Sequence, residues 1–177
     1  MANTVKKNDT IIALDPGLRD LGYAVLTGRR LIAANVLSLR SVPQSRRLGK
    51  VREFLVTQFR AYRPRMLVLE HIPKRPLDTL AGLPALGRML RRMAIARRLK
   101  LATYSARTVR RSVVGDGWAG KREVAEIIAE KFPDLRVHLT HDRKWKVQYW
   151  QNMFDAVALA LHHQSVSKPP SRSRQSG

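Results

Sequence analysis

The sequence predicts an α/β protein with a mixed sheet flanked by helices. Three strand-like segments follow one another closely near the N-terminus, and further strands then alternate with amphipathic helices. Apolar residues make up 44% of the 177 residues, enough for one domain with a sizeable core. We expect a flexible basic arm over residues 1–9, one folded domain over 10–163 and a disordered basic tail over 164–177.

The N-terminal segments predict three strands and a helix. "TIIALD" and "LGYAVLT" are strand-like and are joined by "PGLRD", in which Pro16 and Gly17 supply the turn chemistry. "RRLIAANVLSLR" predicts a third strand, and the short connections predict an antiparallel meander. A helix is predicted from Pro43 to Tyr62, ended by Pro64. The residues that give this helix its apolar period are Leu48, Val51, Leu55 and Phe59.

The remaining segments alternate between strand and helix. "RMLVLEHI" is a continuous apolar run, which predicts a buried parallel strand. A helix with one apolar face is predicted from Leu80 to Leu99, followed by the strand "KLATYS". Ser105 caps the predicted helix "ARTVRRSVV", which stops at Gly115. After the loop "GDGWAG", the predicted helix "KREVAEIIAEKF" is closed by Pro133, and a last helix runs from about Lys146 to His163.

The net charge of +21 is the strongest compositional signal. Eleven lysines and arginines lie between Arg88 and Arg122, against one acid, Asp116. A charge of this size attracts polyanions, so the sequence favours nucleic acid as the partner over a merely solvated basic surface. An anionic membrane and the ribosome are less common partners for such a chain.

Composition also excludes several classes of protein. The chain has no cysteine, which excludes disulfides and thiolate zinc sites. Its apolar runs are shorter than the roughly 18 residues of a membrane span, and "MANTVKKNDT" lacks the apolar stretch of a signal peptide. We therefore expect an intracellular protein, cytoplasmic or associated with the nucleoid.

Three acids occupy unusual positions. Asp15 and Glu70 each end a predicted strand, and Asp155 lies early in the apolar last helix. Carboxylates that converge at a sheet edge raise one another's pKa, and hard divalent cations such as Mg²⁺ or Mn²⁺ relieve this repulsion. Two such ions about 3.5–4 Å apart can activate water and stabilise the leaving oxygen of a phosphodiester. Taken singly, Asp15 could cap a turn and Asp155 could pair with an arginine; together, the three favour a metal site.

The motifs around these acids resemble those of the RuvC family of Holliday-junction resolvases. "LDPGLRDLGYAVL" is similar to the first family motif and "MLVLEHI" to the second. "YSARTVRRSVVGDGWAGKREV" is similar to the third segment, and "FDAVALALHH" to the last helix. The order and spacing agree from about Ile11 to His163. The resemblance implies an RNase H-like fold, a homodimer and Mg²⁺-dependent cutting of two opposed strands at a four-way DNA junction.

The resemblance also implies roles for individual residues. Asp15, Glu70 and Asp155 would bind metal, two ions per active site, with Asp15 bridging them. Lys121 matches the family's lysine near the scissile phosphate, although a solvated lysine in a first helical turn is the alternative. Products would carry 5′-phosphate and 3′-hydroxyl ends. The basic residues that we expect to contact DNA are Arg88, Arg91, Arg92, Arg107, Arg110, Arg111, Lys121 and Arg122.

The sequence departs from the family in two places. Where the family usually has a fourth acid, three residues before the last, this chain has Asn152, whose amide oxygen can bind Mg²⁺ with less charge; Asp142 is an alternative ligand. Many relatives carry an aromatic wedge after the glutamate. Here that segment is "HIPKRPL", with Pro73, and Leu77 or Trp118 are alternative wedges.

Two other functions remain open from the sequence alone. One is a non-catalytic junction- or RNA-binding protein on the same fold, and the other is an RNase H-like nuclease acting on another branched or hybrid substrate. A branch-migration motor partner is not indicated. We interpret His162 and His163, at the end of the last helix, as surface or packing residues rather than ligands.

Overall fold

Five strands form one mixed sheet in a computed structural model that describes residues 9–72, 82–139 and 144–167. The strands are β1 (Thr10–Asp15), β2 (Asp20–Thr27), β3 (Arg30–Ser38), β4 (Met66–Glu70) and β5 (Lys100–Tyr104). Their order is β3-β2-β1-β4-β5. β1, β2 and β3 pair antiparallel, whereas β4 is parallel to both β1 and β5. The predicted meander, parallel strand and mixed sheet are confirmed.

Helices cover both faces of this sheet. They are α1 (Gln44–Tyr62), α2 (Gly82–Ala96), α3 (Ala106–Val114), α4 (Lys121–Lys131) and α5 (Lys144–Val166). Side chains of a strand point alternately to its two faces. Ile12 and Leu14 of β1 therefore pack with α1 and α2, while Ile11 and Ala13 pack with α3, α4 and α5. The sheet thus separates two apolar cores, and α5 fills much of the second.

The predicted helix boundaries hold where the sequence carries a cap. The Ser105 side chain accepts a hydrogen bond from the Thr108 backbone N–H at 3.1 Å, and α3 ends at Gly115, whose φ is 93°. α1 ends at Tyr62, two residues before Pro64. Local capping chemistry was therefore enough to predict these ends.

Other helix boundaries differ from the prediction. α2 ends at Ala96 rather than Leu99, because Arg98 adopts a left-handed conformation (φ 56°) that turns the chain into β5. α5 continues beyond His163 to Val166. A short 3-10 helix, Pro133–His138, follows α4 and was not predicted. Among the described helices, none is long and apolar enough to cross a membrane.

Several predictions lie outside the described residues. The proposed arm, except Asp9, and most of the proposed tail fall there, as do Pro73, Leu77 and Asp142. These remain predictions.

Candidate active site

The strand ends that carry Asp15 and Glu70 meet at one edge of the sheet. β1 and β4 run parallel, with Leu14 opposite Leu69, so the next residue of each strand is an acid. The carboxyl ends of parallel neighbours lie at the same edge. The sequence prediction that the two acids converge on this edge therefore agrees with the observed register.

A glycine brings α5 to the same edge. Gly22 of β2 lies opposite Asp15, and a β-carbon built on Gly22 would overlap the backbone carbonyl of Asn152. The backbone of α5 therefore packs directly against β2 at Gly22, the residue that pairs with Asp15 of β1. Asp155 follows Asn152 by three residues, which is about one helical turn. A strand glycine thus sets the position of the third acid.

The three carboxylates influence one another electrostatically. Burial raises the pKa of Asp15 well above its ordinary value, and the negative charges of Asp155 and Glu70 raise it further, while Lys121 opposes them. Burial also raises the pKa of Glu70, followed by repulsion from Asp155, whereas Lys121 and Arg110 lower it. The site consequently gathers negative charge that the protein itself neutralises only in part.

Asp155 has two polar partners. Gln151, one turn earlier on α5, donates from Nε2 to Asp155 Oδ1 at 3.1 Å, and Lys121 Nζ lies 3.5 Å from Oδ2. Gln151 is only 7% exposed. The donor in this hydrogen bond is the amide N–H of Gln151, and the acceptor is the carboxylate oxygen of Asp155. Among the described residues, the cation paired with Asp155 is Lys121 rather than an arginine.

Sequence reasoning did not single out Gln151. The signal was present, because Gln and Asp at i and i+4 face each other on a helix and form hydrogen bonds. The spacing alone did not reveal that the pair would lie beside two other acids.

The donor chemistry at this edge fits a hard divalent cation. Within the described residues, the carboxylates of Asp15 and Glu70 accept no hydrogen bond and form no ion pair. Carboxylate oxygens are preferred ligands of Mg²⁺ and Mn²⁺. However, no three His, Cys, Asp or Glu side chains of the described ranges lie close enough together to hold one ion in common. The residues therefore suit a divalent cation in their charge and in their type of ligand atom, but not in the spacing of their side chains.

Asn152 lines a neighbouring cleft of about 550 Å³. The same cleft is lined by Asp20 and Arg40, which form a bidentate ion pair with a shortest distance of 2.7 Å. Asp20 is therefore neutralised by its partner, unlike Asp15 and Glu70. Asn152 lies beside the carboxylate edge, with an uncharged amide where the resemblance noted above implies an acid.

Some of the predicted DNA contacts surround Glu70. Arg88 and Arg91 of α2 line a cleft of about 260 Å³ together with Glu70. Arg110 of α3 is near enough to lower the pKa of Glu70. The other predicted contacts are exposed on α2, α3 and α4, and Arg122 pairs with Glu126 at 2.8 Å. These other residues are Arg92, Arg107, Arg111, Lys121 and Arg122.

The two histidines at the end of α5 are packing residues. His162 and His163 are both buried, and the Tyr104 ring contacts His162 edge-on at 4.4 Å between centroids. The Tyr104 hydroxyl and His163 Nδ1 form a 2.9 Å hydrogen bond. Burial lowers the pKa of both histidines. The packing interpretation is confirmed.

Comparisons with known proteins match most of the chain. The family model described as crossover junction endodeoxyribonuclease RuvC matches residues 11–163. A protein of that name from Xanthobacter autotrophicus is 31% identical over 161 residues, covering 86% of this chain and 88% of the relative. One from Ehrlichia canis is 27% identical over 159 residues, covering 86% and 94%.

Solved structures match the fold. The structure of T. thermophilus RuvC in complex with Holliday junction substrate aligns with a TM-score of 0.70 at 21% identity. The alignment covers 88% of this chain and 93% of that one. The mixed five-stranded sheet with flanking helices is therefore the fold of these RNase H-like resolvases, as the sequence predicted.

Proposed function

The chain belongs to the RuvC family of crossover junction endodeoxyribonucleases, and we propose that it cuts four-way DNA junctions by paired symmetric nicks. The observation that carries this proposal is that Asp15, Glu70 and Asp155 lie near one another at one sheet edge. Burial raises the pKa of Asp15, and the charges of Asp155 and Glu70 raise it further. In a chain of net charge +21, such an acidic site requires a reason. Metal binding for phosphodiester hydrolysis supplies one.

The proposed ligands of Mg²⁺ or Mn²⁺ are Asp15, Glu70 and Asp155, with the amide oxygen of Asn152 as a neutral fourth donor. Two such ions, if bound, would supply an activated water and would stabilise the leaving oxygen of a phosphodiester. Asp15, whose pKa is raised by both Asp155 and Glu70, would be the carboxylate common to the set. To hold one ion together, three of these groups would have to lie closer than they do in the described residues. Gln151 donates to Oδ1 of Asp155, and Lys121 lies 3.5 Å from Oδ2, so a metal would compete with Lys121 for that second oxygen.

Lys121 is proposed to meet the scissile phosphate. Its ammonium group lies 3.5 Å from Asp155 and its side chain is 58% exposed, so it is free to move toward bound DNA. A cation at this position stabilises negative charge that develops on the phosphate oxygens. The contact with Asp155 supports this role over that of a merely solvated lysine.

The arginines around Glu70 are proposed to hold the DNA backbone. Arg88, Arg91 and Arg110 lie beside the carboxylate edge, where they can contact phosphates on either side of the cut. Such contacts position DNA without reading its sequence. The same attraction toward DNA suggests that the protein works in the cytoplasm or at the nucleoid. We further propose a homodimer, because a two-fold axis places one site on each of two opposed strands.

A cutting assay tests this function. Purified protein is incubated with a labelled synthetic four-way junction, a matched duplex and an RNA–DNA hybrid, in Mg²⁺, Mn²⁺ or EDTA. We expect symmetric nicks on the junction alone, with 5′-phosphate ends, and no cutting in EDTA. Asp15→Asn should bind the junction without cutting it, whereas Glu53→Gln, an exposed acid on α1, should cut normally.

The other outcomes identify the alternatives. Tight junction binding without cutting in either metal would identify a non-catalytic binding protein. Cutting of the RNA–DNA hybrid would identify a nuclease of different substrate class. Asp15→Asn protein that cuts at the wild-type rate would contradict the proposed metal site.

A further inference from the structure

Trp118 exposes its ring to solvent three residues before Lys121. The residue is 75% exposed, although indole is the largest apolar side chain. Folding of the single chain therefore gains little from this ring, because the hydrophobic contribution scales with the apolar area buried. The flat face of this exposed ring is available to bind a ligand.

The loop that carries Trp118 is held in a defined position. The Trp118 backbone N–H donates to Asp116 Oδ1 at 2.9 Å, and the next residue, Ala119, is buried. A β-carbon on Gly117 would lie 3.0 Å from Arg107 Cγ, so the glycine lets this loop pack closely against Arg107. The backbone on both sides of the exposed ring is therefore fixed.

Arg107 stacks on this ring. Its guanidinium carbon lies 4.4 Å from the centre of the Trp118 ring, which is within the range of a cation–π contact. Both side chains are exposed. The guanidinium occupies one face of the indole, and the exposure of Trp118 leaves apolar ring surface available for a second flat group.

The pair lies next to the residues proposed to cut DNA. Lys121, which contacts Asp155, follows Trp118 by three residues. Arg110, which influences Glu70, follows Arg107 by three residues on α3, so the two arginines lie on the same side of that helix. A ligand that fits this surface therefore has a flat aromatic group attached to phosphates.

We propose that Arg107 and Trp118 form a stacking platform for an unpaired nucleobase of branched DNA, next to the strand that is cut. This inference rests on the proposed function and adds the part of the substrate that the surface recognises. Stacking on an aromatic ring is open to every base, and an arginine adds attraction to the neighbouring phosphate. Bases within a continuous duplex are stacked on each other, so the platform favours a branch point over duplex DNA.

The test compares variants of the full chain in EDTA, where cutting cannot interfere with binding. Affinity for a four-way junction and for the matched duplex is measured for wild type, Trp118→Ala and Trp118→Phe. Ile95→Ala is the matched control, because Ile95 is also 75% exposed. We expect Trp118→Ala to weaken junction binding by roughly tenfold. Trp118→Phe should retain most of the affinity, and duplex binding should not change.

Photo-crosslinking locates the base. A 5-iodouracil is placed in turn at each position around the branch point, and the crosslinked peptide is identified by mass spectrometry. We expect a crosslink at Trp118 from a position beside the cut, and its loss in Trp118→Ala.

Three results would overturn the proposal. The first is that Trp118→Ala binds the junction as tightly as wild type does, in an experiment where wild type prefers the junction to the duplex. This result would contradict the stacking platform but not the proposed function. The second is conversion of a wild-type dimer to a monomer by Trp118→Ala in sedimentation velocity, which would assign the ring to contact with a second copy. The third is wild-type protein without preference for the junction, which would contradict the proposed function as well.

Discussion

Gly22 and Asn152 are in backbone contact, and this contact joins the strand opposite Asp15 to the helix that carries Asp155. No side chain fits between the two elements at this point. The distance between the acids of the candidate site therefore depends on a residue that has no functional group.

Gly22→Ala tests this dependence. The new methyl group would meet the Asn152 backbone, which cannot turn away as a flexible side chain could. Overpacking typically costs about 1–3 kcal/mol, so we expect a lower Tm and severe loss of junction cutting. Gly49→Ala on α1 is the control, since nothing lies within 4 Å of a β-carbon there. The control should gain about 0.5–1 kcal/mol of stability. Full activity of Gly22→Ala would contradict the role of this contact.

Gln151→Met removes the hydrogen-bond donor to Asp155 while keeping the length of the side chain. We expect Mn²⁺ affinity, measured by electron paramagnetic resonance, and junction cutting to fall by about 10- to 100-fold. The reason is that Asp155 loses the contact that orients its carboxylate.

Gln148→Met is the matched control for this variant, because Gln148 is an exposed glutamine one turn earlier on α5. It should leave both measurements unchanged. Equal behaviour of the two variants would exclude a positioning role for Gln151.

Asp15→Asn should stabilise the metal-free protein at neutral pH. The folded-state pKa of Asp15 is raised above its ordinary value of 3.8, so its contribution to stability is fully present below pH 3.8 and is lost as the pH rises through the raised pKa. The neutral amide avoids that loss. Each kcal/mol regained raises Tm by about 2–4 °C in a chain of this size.

Thermal unfolding in EDTA from pH 3 to pH 8 checks this prediction. The Tm advantage of Asp15→Asn should grow with pH, and Mg²⁺ should raise the Tm of wild type more than that of the variant. A Tm advantage of Asp15→Asn that grows as the pH falls would contradict a raised pKa of Asp15 in the folded protein.

The buried histidines predict the opposite pH dependence. The pKa of His162 is lowered from 6.5 by burial, so the unfolded chain binds its proton more readily and folded stability falls as the pH drops below 6.5. His162→Phe keeps an aromatic ring against Tyr104 but cannot be protonated. Its Tm should fall less than that of wild type between pH 7 and pH 5. An equal fall in the two proteins would show that His162 does not contribute.

Neutralising Arg110 and Arg111 together should weaken junction binding and reduce its salt dependence. Each lost phosphate contact lowers the slope of log affinity against log salt by about 0.9. Fluorescence anisotropy between low and moderate salt measures this slope. Arg52→Gln, an exposed arginine on α1, is the control and should leave the slope nearly unchanged. A weaker affinity with an unchanged slope would argue against phosphate contacts.

Local sequence chemistry was sufficient to predict most of the fold. Apolar runs that end in Asp15 and Glu70 predicted the strand ends, and Ser105 and Gly115 predicted both ends of α3. The end of α2 was missed, because the apolar pattern continues to Leu99 while the chain has already turned at Arg98.

The candidate site was predicted in its acids but not in its supporting contacts. The overlap of Gly22 with Asn152 and the hydrogen bond from Gln151 to Asp155 form only when α5 docks on the sheet. The ion pair of Asp20 and Arg40 joins residues 20 positions apart and has no local signature. Such contacts depend on tertiary geometry, which neither periodicity nor capping encodes.

The position of α5 along the chain has a consequence for protein synthesis. The basic side chains of α2, α3 and α4 all emerge from the ribosome before Asp155 does. A nascent or truncated chain without α5 would therefore carry the DNA-attracting surface but lack one acid and much of one core. If Asp155 is a metal ligand as proposed, incompletely made copies of the protein would bind DNA without cutting it.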